Sequence, residues 1–165
     1  MSMSRTYMAD SGLVALGATG LTPLLYIAPT STNDLNIIDI KISCEVSGSA
    51  PTAVSNSDLF FSLNVVTGTK GGGASVTPSK LNTALAANTV CSSGSTALTG
   101  LTQSTELWPG AIPFTAGAVW QDSMENTGRE INLAASSLNC VYVNVPSGPG
   151  YGSGWYARAV VWFAE

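Results

Sequence analysis

LNIIDIKISCEV, Leu35–Val46, is the stretch on which the fold turns. Ile38, Ile40, Ile42, Cys44 and Val46 fall on one side of an extended chain. Ile37, Asp39, Lys41, Ser43 and Glu45 fall on the other. Successive side chains of a strand point to opposite faces, so this alternation, with β-branched residues on its apolar side, predicts a half-buried strand. Working outward, Asp58–Val66 alternates Leu59, Phe61, Leu63 and Val65 against Ser62 and Asn64. Leu138–Val145 (LNCVYVNV) and Trp155–Ala164 (WYARAVVWFA) read as strong strands, and the glycine-rich Gly148–Gly154 makes them a long-looped hairpin. In the last strand, Trp155, Ala157, Ala159, Val161 and Phe163 share one face, and Tyr156, Arg158, Val160, Trp162 and Ala164 the other. Ile112–Trp120 and Ile131–Leu133 read as further strands. Leu24–Ala28 reads as a short one, confined to an edge by Pro23 and Pro29 because proline has no N–H to donate.

The stretches between these strands are punctuated by Gly, Pro, Ser and Asn. Met1–Asn33 reads as an N-terminal arm or edge element, and residues 34–165 as the main domain. Gly48–Pro51 marks a turn. Gly68–Gly73 (GTKGGG) reads as a flexible loop, without the Gly-Lys-Ser/Thr order of a phosphate loop. Ala74–Gln103 reads as a long insertion whose best helical piece is Ser79–Ala87. No long amphipathic helix, βαβ alternation or internal repeat appears. Seven or eight short strands therefore predict an all-β fold, an antiparallel β-sandwich of the jelly-roll type with a short N-terminal arm.

Composition narrows the function. Of 165 residues none is histidine and 10% are charged, against about 25% in an average soluble domain. A Ser-His-Asp triad is impossible, and no G-x-S-x-G elbow is present. Thr77-Pro78-Ser79-Lys80 lacks the partner motifs of Ser/Lys enzymes. Glu106, Asp122, Glu125 and Glu130 form the residual enzyme reading, since glycoside hydrolysis needs two carboxyls roughly 5 to 9 Å apart. Carboxylates near turns are mostly solvated, and no enzyme is expected. Asp34, Asp39, Asp58 and Asp122 lack the spacing of a calcium loop, so no metal or cofactor is expected. Cys44, Cys91 and Cys140 form no C-x-x-C pair. Cys44 and Cys140, within apolar runs, read as core thiols of a protein made in a reducing cytoplasm.

The six basic residues are scattered and the net charge is −4, so no nucleic-acid partner is expected. The N-terminus is a poor signal peptide, and no run reaches the ~18 apolar residues of a membrane span. No membrane partner is expected. A neutral exterior of Ser, Thr, Asn and Gly is instead suited to burial in an assembly, because few ions lose water there. Trp108, Trp155, Trp162, Tyr151 and Arg158 are the interface candidates. Trp155 and Trp162 point to opposite faces of one strand, so at least one faces away from the core. Arg158, on an apolar strand, calls for a carboxylate or a partner chain's carbonyls. Trp108, Trp120 and Tyr151 are the candidates for a sugar-stacking platform, the signature of a carbohydrate-binding module.

An order of features carries a family resemblance. The isoleucine-rich strand Leu35–Val46 ends in Ser-Gly-Ser-Ala-Pro, and Asp58–Val66 follows. Next come an insertion with Thr77-Pro78 and Thr99-Gly100, then Trp108-Pro109, then a closing strand ending in Val161-Trp162-Phe163-Ala164-Glu165. This order resembles the small jelly-roll capsid decoration, or cement, proteins of tailed bacteriophages, over roughly residues 35–165. The resemblance implies a structural protein on the outer capsid surface of a virion, made in the bacterial host cytoplasm. It further implies binding to the major capsid protein, assembly as a homotrimer, and no catalytic residues. A tail or head-fibre subunit is the neighbouring alternative.

Overall fold

The computed structural model describes residues 5–16, 21–48, 58–94, 99–124, 129–135, 138–146 and 151–165, apart from the side chains at 103 and 104. The described residues are all-β. The strands are β1 (Thr6–Asp10), β2 (Val14–Ala15), β3 (Thr22–Ala28), β4 (Leu35–Val46), β5 (Asp58–Gly71), β6 (Ala74–Val76), β7 (Ser79–Lys80), β8 (Val90–Ser93), β9 (Thr99–Pro113), β10 (Val119–Ser123), β11 (Ile131–Leu133), β12 (Asn139–Val145) and β13 (Trp155–Ala164). They form two antiparallel sheets. One has the order β10-β4-β13-β1-β7, with β11 also on β4 and β2 on β13. The other has the order β6-β8-β3-β12-β5-β9.

The main pairings are nested. β1 pairs with β13, β3 with β12, β4 with β10, and β5 with β9. The chain is thus a long double strand folded over on itself, with alternate pairs sent to opposite sheets, an arrangement compatible with the expected jelly roll. The core lies between the sheets. Tyr7, Ala9, Ile40, Ile42, Cys44, Ala157, Ala159, Val161 and Phe163 enter it from one side, and Leu25, Ile27, Leu59, Phe61, Leu63, Val141, Val143 and Val145 from the other.

Several local expectations are corrected. Beyond Asp39 the alternation of β4 reverses: Ile37 is fully buried and Ile38 is half-buried. Trp162 pairs with Asp39 and Phe163 with Ile37, leaving Ile38 as the extra residue of a β-bulge. One extra residue swaps the faces of everything beyond it. On the other side of β4, β10 ends against Asp39 and β11 pairs with Leu35–Ile37, while the Met124 N–H donates to the Ile38 carbonyl at 2.8 Å.

The stretches 138–145 and 155–164 do not form a hairpin. β12 lies between β3 and β5, β13 between β4 and β1, in different sheets. Each has an apolar inner row, and placing them in opposite sheets brings both rows into one core. β1 and β3 are not edge strands. β1 lies between β13 and β7, and β3 lies between β8 and β12. All seven residues of β3 are buried, which an edge position would not provide. Pro23 is tolerated because the ladder to β12 shifts register between Val143 and Asn144.

Residues 79–87 are not helical. Ser79 and Lys80 form β7 and pair with Met8 and Tyr7. Residues 68–71 continue β5 rather than looping out. Residues 112–120 are not one strand: β9 ends at Pro113, and the turn before Val119 carries the chain to the other sheet. Within it the Thr115 N–H donates to the Pro113 carbonyl at 2.8 Å.

Candidate interaction surfaces

The sequence-derived candidates separate into three places. Arg158 and Trp162 share the outer face of the seven-stranded sheet, where they border a groove of about 220 Å³ with Met8, Lys41 and Val160. Arg158 has found its carboxylate within the chain. Its Nε donates to Asp10 Oδ1 at 2.9 Å, and its Nη2 donates to Asp10 Oδ2. The Gly12 N–H also donates to Asp10 Oδ1, at 2.9 Å. The other acids on this face are engaged locally. Ser43 donates to Glu45 Oε1 at 2.9 Å and Gln121 to Asp39 Oδ2 at 2.8 Å.

The guanidinium of Arg158, against partial burial, holds the Asp10 carboxyl below its ordinary 3.8. A carboxyl depressed in the folded state contributes stability above its unfolded pKa and loses that contribution as the pH falls through its folded value. The pair is well exposed, so solvent screening keeps the effect below about 1 kcal/mol. The Asp10→Asn variant is therefore expected to be less stable than the parent near neutral pH. The difference, read from urea unfolding midpoints, should shrink towards zero as the pH drops below about 3.8. A gap that persists at about pH 2 would assign the loss to something other than this pair.

Trp108 lies at the flank where β9 and β10 approach across the sandwich. Its ring centroid is 6.1 Å from Trp120 at 52°, and Trp120 is 4.9 Å from Phe61 at 49°. The Arg129 guanidinium lies over Trp108, 4.6 Å from the ring centroid. The same guanidinium donates to both Asp122 oxygens, at 2.7 and 2.9 Å. Trp155 and Tyr151 belong to a third place, an aromatic plug at one end of the core. Phe114 is 4.2 Å from Trp155 and 5.0 Å from Tyr151. Tyr151 is 3% exposed, and its hydroxyl accepts the Phe60 N–H at 3.3 Å. Trp108, Trp120 and Tyr151 thus form no coplanar platform.

Asp122 is held by Arg129, Glu106 is exposed on β9, and Glu130 is exposed before β11. Glu125 lies outside the described residues. Asp34 Oδ1 accepts the Ala135 N–H at 2.7 Å. Among the described residues no three His, Cys, Asp or Glu side chains gather where they could hold a metal ion.

The outer face of the six-stranded sheet is a surface that single-strand alternation did not reveal. Tyr26 and Tyr142 are register partners there. They form a second apolar cluster with Ala28, Val66 and Cys140, against which Leu101 packs. The Tyr26 hydroxyl lies 3.1 Å from Cys140 Sγ. Burial pushes the Tyr142 hydroxyl up to about 12 and the Cys140 thiol above its ordinary 9.0. Cys140 is therefore a buried thiol, but in this outer cluster rather than between the sheets. Beside it Ser62 donates to Asn144 Oδ1, and Asn64 Nδ2 donates to Ser62 Oγ at 3.0 Å and Asn144 Oδ1 at 3.1 Å. Four strands of this sheet, β3, β6, β8 and β12, contain no charged residue.

No family model, curated protein or solved structure matches this chain. Its surfaces therefore carry the functional reading.

A further feature is the segment between β7 and β8. Asn82 Oδ1 accepts the Thr6 N–H at 2.6 Å. The Tyr7 hydroxyl donates to the Leu85 carbonyl at 3.4 Å. The Glu165 carboxylate accepts the N–H groups of Asn88 and Thr89 at 2.7 and 3.0 Å. The backbone is fastened at both ends, yet Leu81 is 51% and Leu85 53% exposed. In the sequence 79–87 reads as the best helical piece of an insertion, and nothing there singles out these leucines.

Proposed function

We propose that this chain is a viral structural protein, a capsid decoration protein that binds and stabilises an assembled phage head. The observation that carries the reading is the pinned segment between β7 and β8. It presents two leucines to solvent on a backbone already fixed by Thr6, Tyr7 and Glu165. Ordering such a segment on binding costs little, because it is ordered beforehand. The two-sheet sandwich, the sparse charge and the sequence resemblance support the same reading. In it Leu81 and Leu85 dock on the major capsid protein. The shell gains stability by mass action, since the ligand binds the assembled state and not its dissociated subunits.

The test is density-gradient sedimentation of a source lysate, with mass spectrometry of each fraction. The chain is expected in virus-sized fractions at high copy. A Leu81→Asp, Leu85→Asp double variant is expected to move to the top of the gradient with its thermal unfolding unchanged. A parent chain that stays a small soluble species in a lysate full of particles would overturn the reading.

A further inference from the structure

We propose that the Glu165 carboxylate is a clasp, and that its hold decides whether the segment between β7 and β8 is presented or open. What the segment docks on rests on the decoration reading; the clasp itself is a property of the free chain. From Leu81 to Val90 the side chains are mostly exposed, with Thr89 buried and Ala87 packed against the core. So little apolar burial leaves hydrogen bonds to hold the segment, and its two ends are held differently. At the first end the Leu81 N–H donates to the Thr6 carbonyl at 3.0 Å. Asn82 Oδ1 accepts the Thr6 N–H at 2.6 Å, and Asn82 Nδ2 donates to Thr6 Oγ1 at 3.2 Å. This end continues the pairing of β7 with β1. Beyond it lies one local bond, from Lys80 Nζ to the Ala84 carbonyl at 2.9 Å. Otherwise, among the described residues, 83–89 are hydrogen-bonded to the body of the sandwich through two side chains. The Tyr7 hydroxyl reaches the Leu85 and Ala86 carbonyls at 3.4 and 3.5 Å, long for an O–H donor. Glu165 makes the short bonds. Its Oε1 accepts the Asn88 N–H at 2.7 Å, and its Oε2 accepts the Thr89 N–H at 3.0 Å and the Thr89 hydroxyl at 2.7 Å.

The clasp is mounted on a fixed base. Glu165 and Arg5 exchange backbone bonds, each N–H donating to the other's carbonyl at 3.1 Å. A hydrogen bond to an ionised acceptor is roughly twice as strong as a neutral one. All three partners of the carboxylate are donors, and no neutral isostere answers them. A glutamine side chain has one acceptor oxygen. In either orientation its NH₂ group would face the N–H of Asn88 or of Thr89, donor against donor. With the clasp lost, the second end of the segment keeps only the long Tyr7 bonds, while Leu81 stays tied to Thr6. Leu85 is then no longer held in place, and docking has to order it again at a cost in affinity.

The test is amide hydrogen exchange by NMR on the full chain, parent and Glu165→Gln, followed by gradient sedimentation of each with the particles of the source lysate. Asn88 and Thr89 lose their acceptor in the variant. Leu85 keeps its own, Thr83 Oγ1 at 3.1 Å within the segment, so its amide reports opening rather than the lost bond. All three are expected to exchange at least about tenfold faster. Leu81, and Val161 in the middle of β13, are expected to keep the parent's rates, because the opening is local. The variant is expected to leave the particle fractions with both leucines intact. Unchanged exchange at Leu85, or one common acceleration of every amide, would overturn the clasp. So would a variant whose segment is open and which still travels with the particles. A parent chain absent from the particle fractions would overturn the decoration reading instead, and the exchange rates would still decide the clasp.

Discussion

Replacing Phe163 with alanine is expected to lower the free energy of unfolding by about 3–5 kcal/mol. Phe163 is fully buried and stacks on Tyr7, with ring centroids 5.6 Å apart and planes at 26°. It pairs with Ile37 on β4 and with Tyr7 on β1. The surrounding strands are hydrogen-bonded on both sides, so they cannot collapse into the space the ring leaves. The lost transfer energy and the residual cavity therefore add. For a domain of this size the loss corresponds to a fall in melting temperature of at least about 6 °C. The neighbouring Trp162→Ala is the internal control. Trp162 is the larger residue, but it lies half-buried on the outer face, and its removal is expected to cost less than half as much. Urea and thermal unfolding of the two variants decide the matter. Equal losses would mean that the bulge at Ile38 is misplaced and that the faces of the last strand are exchanged.

The Gly68→Ala variant is expected to cost roughly 2–4 kcal/mol, far more than a loop glycine normally does. Gly68 has φ +128°, where a side chain is strained, and a Cβ there would lie 2.5 Å from the Gly100 carbonyl oxygen. Gly100 has the reciprocal constraint, with φ +78° and a Cβ position 2.6 Å from the Thr69 carbonyl oxygen. Both obstacles are backbone, so neither can rotate away. At this point the backbones of β5 and β9 approach closely, one residue from Leu101 and its contact with the Tyr26–Tyr142 cluster. Loss of stability should therefore be accompanied by faster thiol labelling of Cys140. Gly12→Ala is the comparison. Gly12 has φ +66° but nothing within 4 Å of its Cβ position, so it should cost about 1–2 kcal/mol from backbone strain alone. Equal effects at Gly12 and Gly68 would contradict the close approach.

Both expectations depend on features of different legibility. The alternation in 35–46, 58–66 and 155–164 was enough to establish an all-β chain, because period 2 is imposed by the backbone itself. It also placed Trp162 opposite Phe163 and identified Arg158 as a cation in need of a carboxylate or a partner chain's carbonyls. That the carboxylate is Asp10, 148 residues away, was beyond local pattern. So was the bulge at Ile38, whose extra residue becomes visible only when β13, β10 and β11 are laid against β4.

Local pattern alone determined that 35–46, 58–66, 138–145 and 155–164 are extended, how little charge the chain carries, and that no histidine chemistry is available. Only the tertiary structure decided that β12 and β13 belong to opposite sheets, that β1 and β3 lie inside their sheets, and that the charged and neutral surfaces lie on opposite sides. The reason is physical. Whether a residue is extended depends on its near neighbours, whereas the sheet it joins depends on which distant apolar row can share a core with its own.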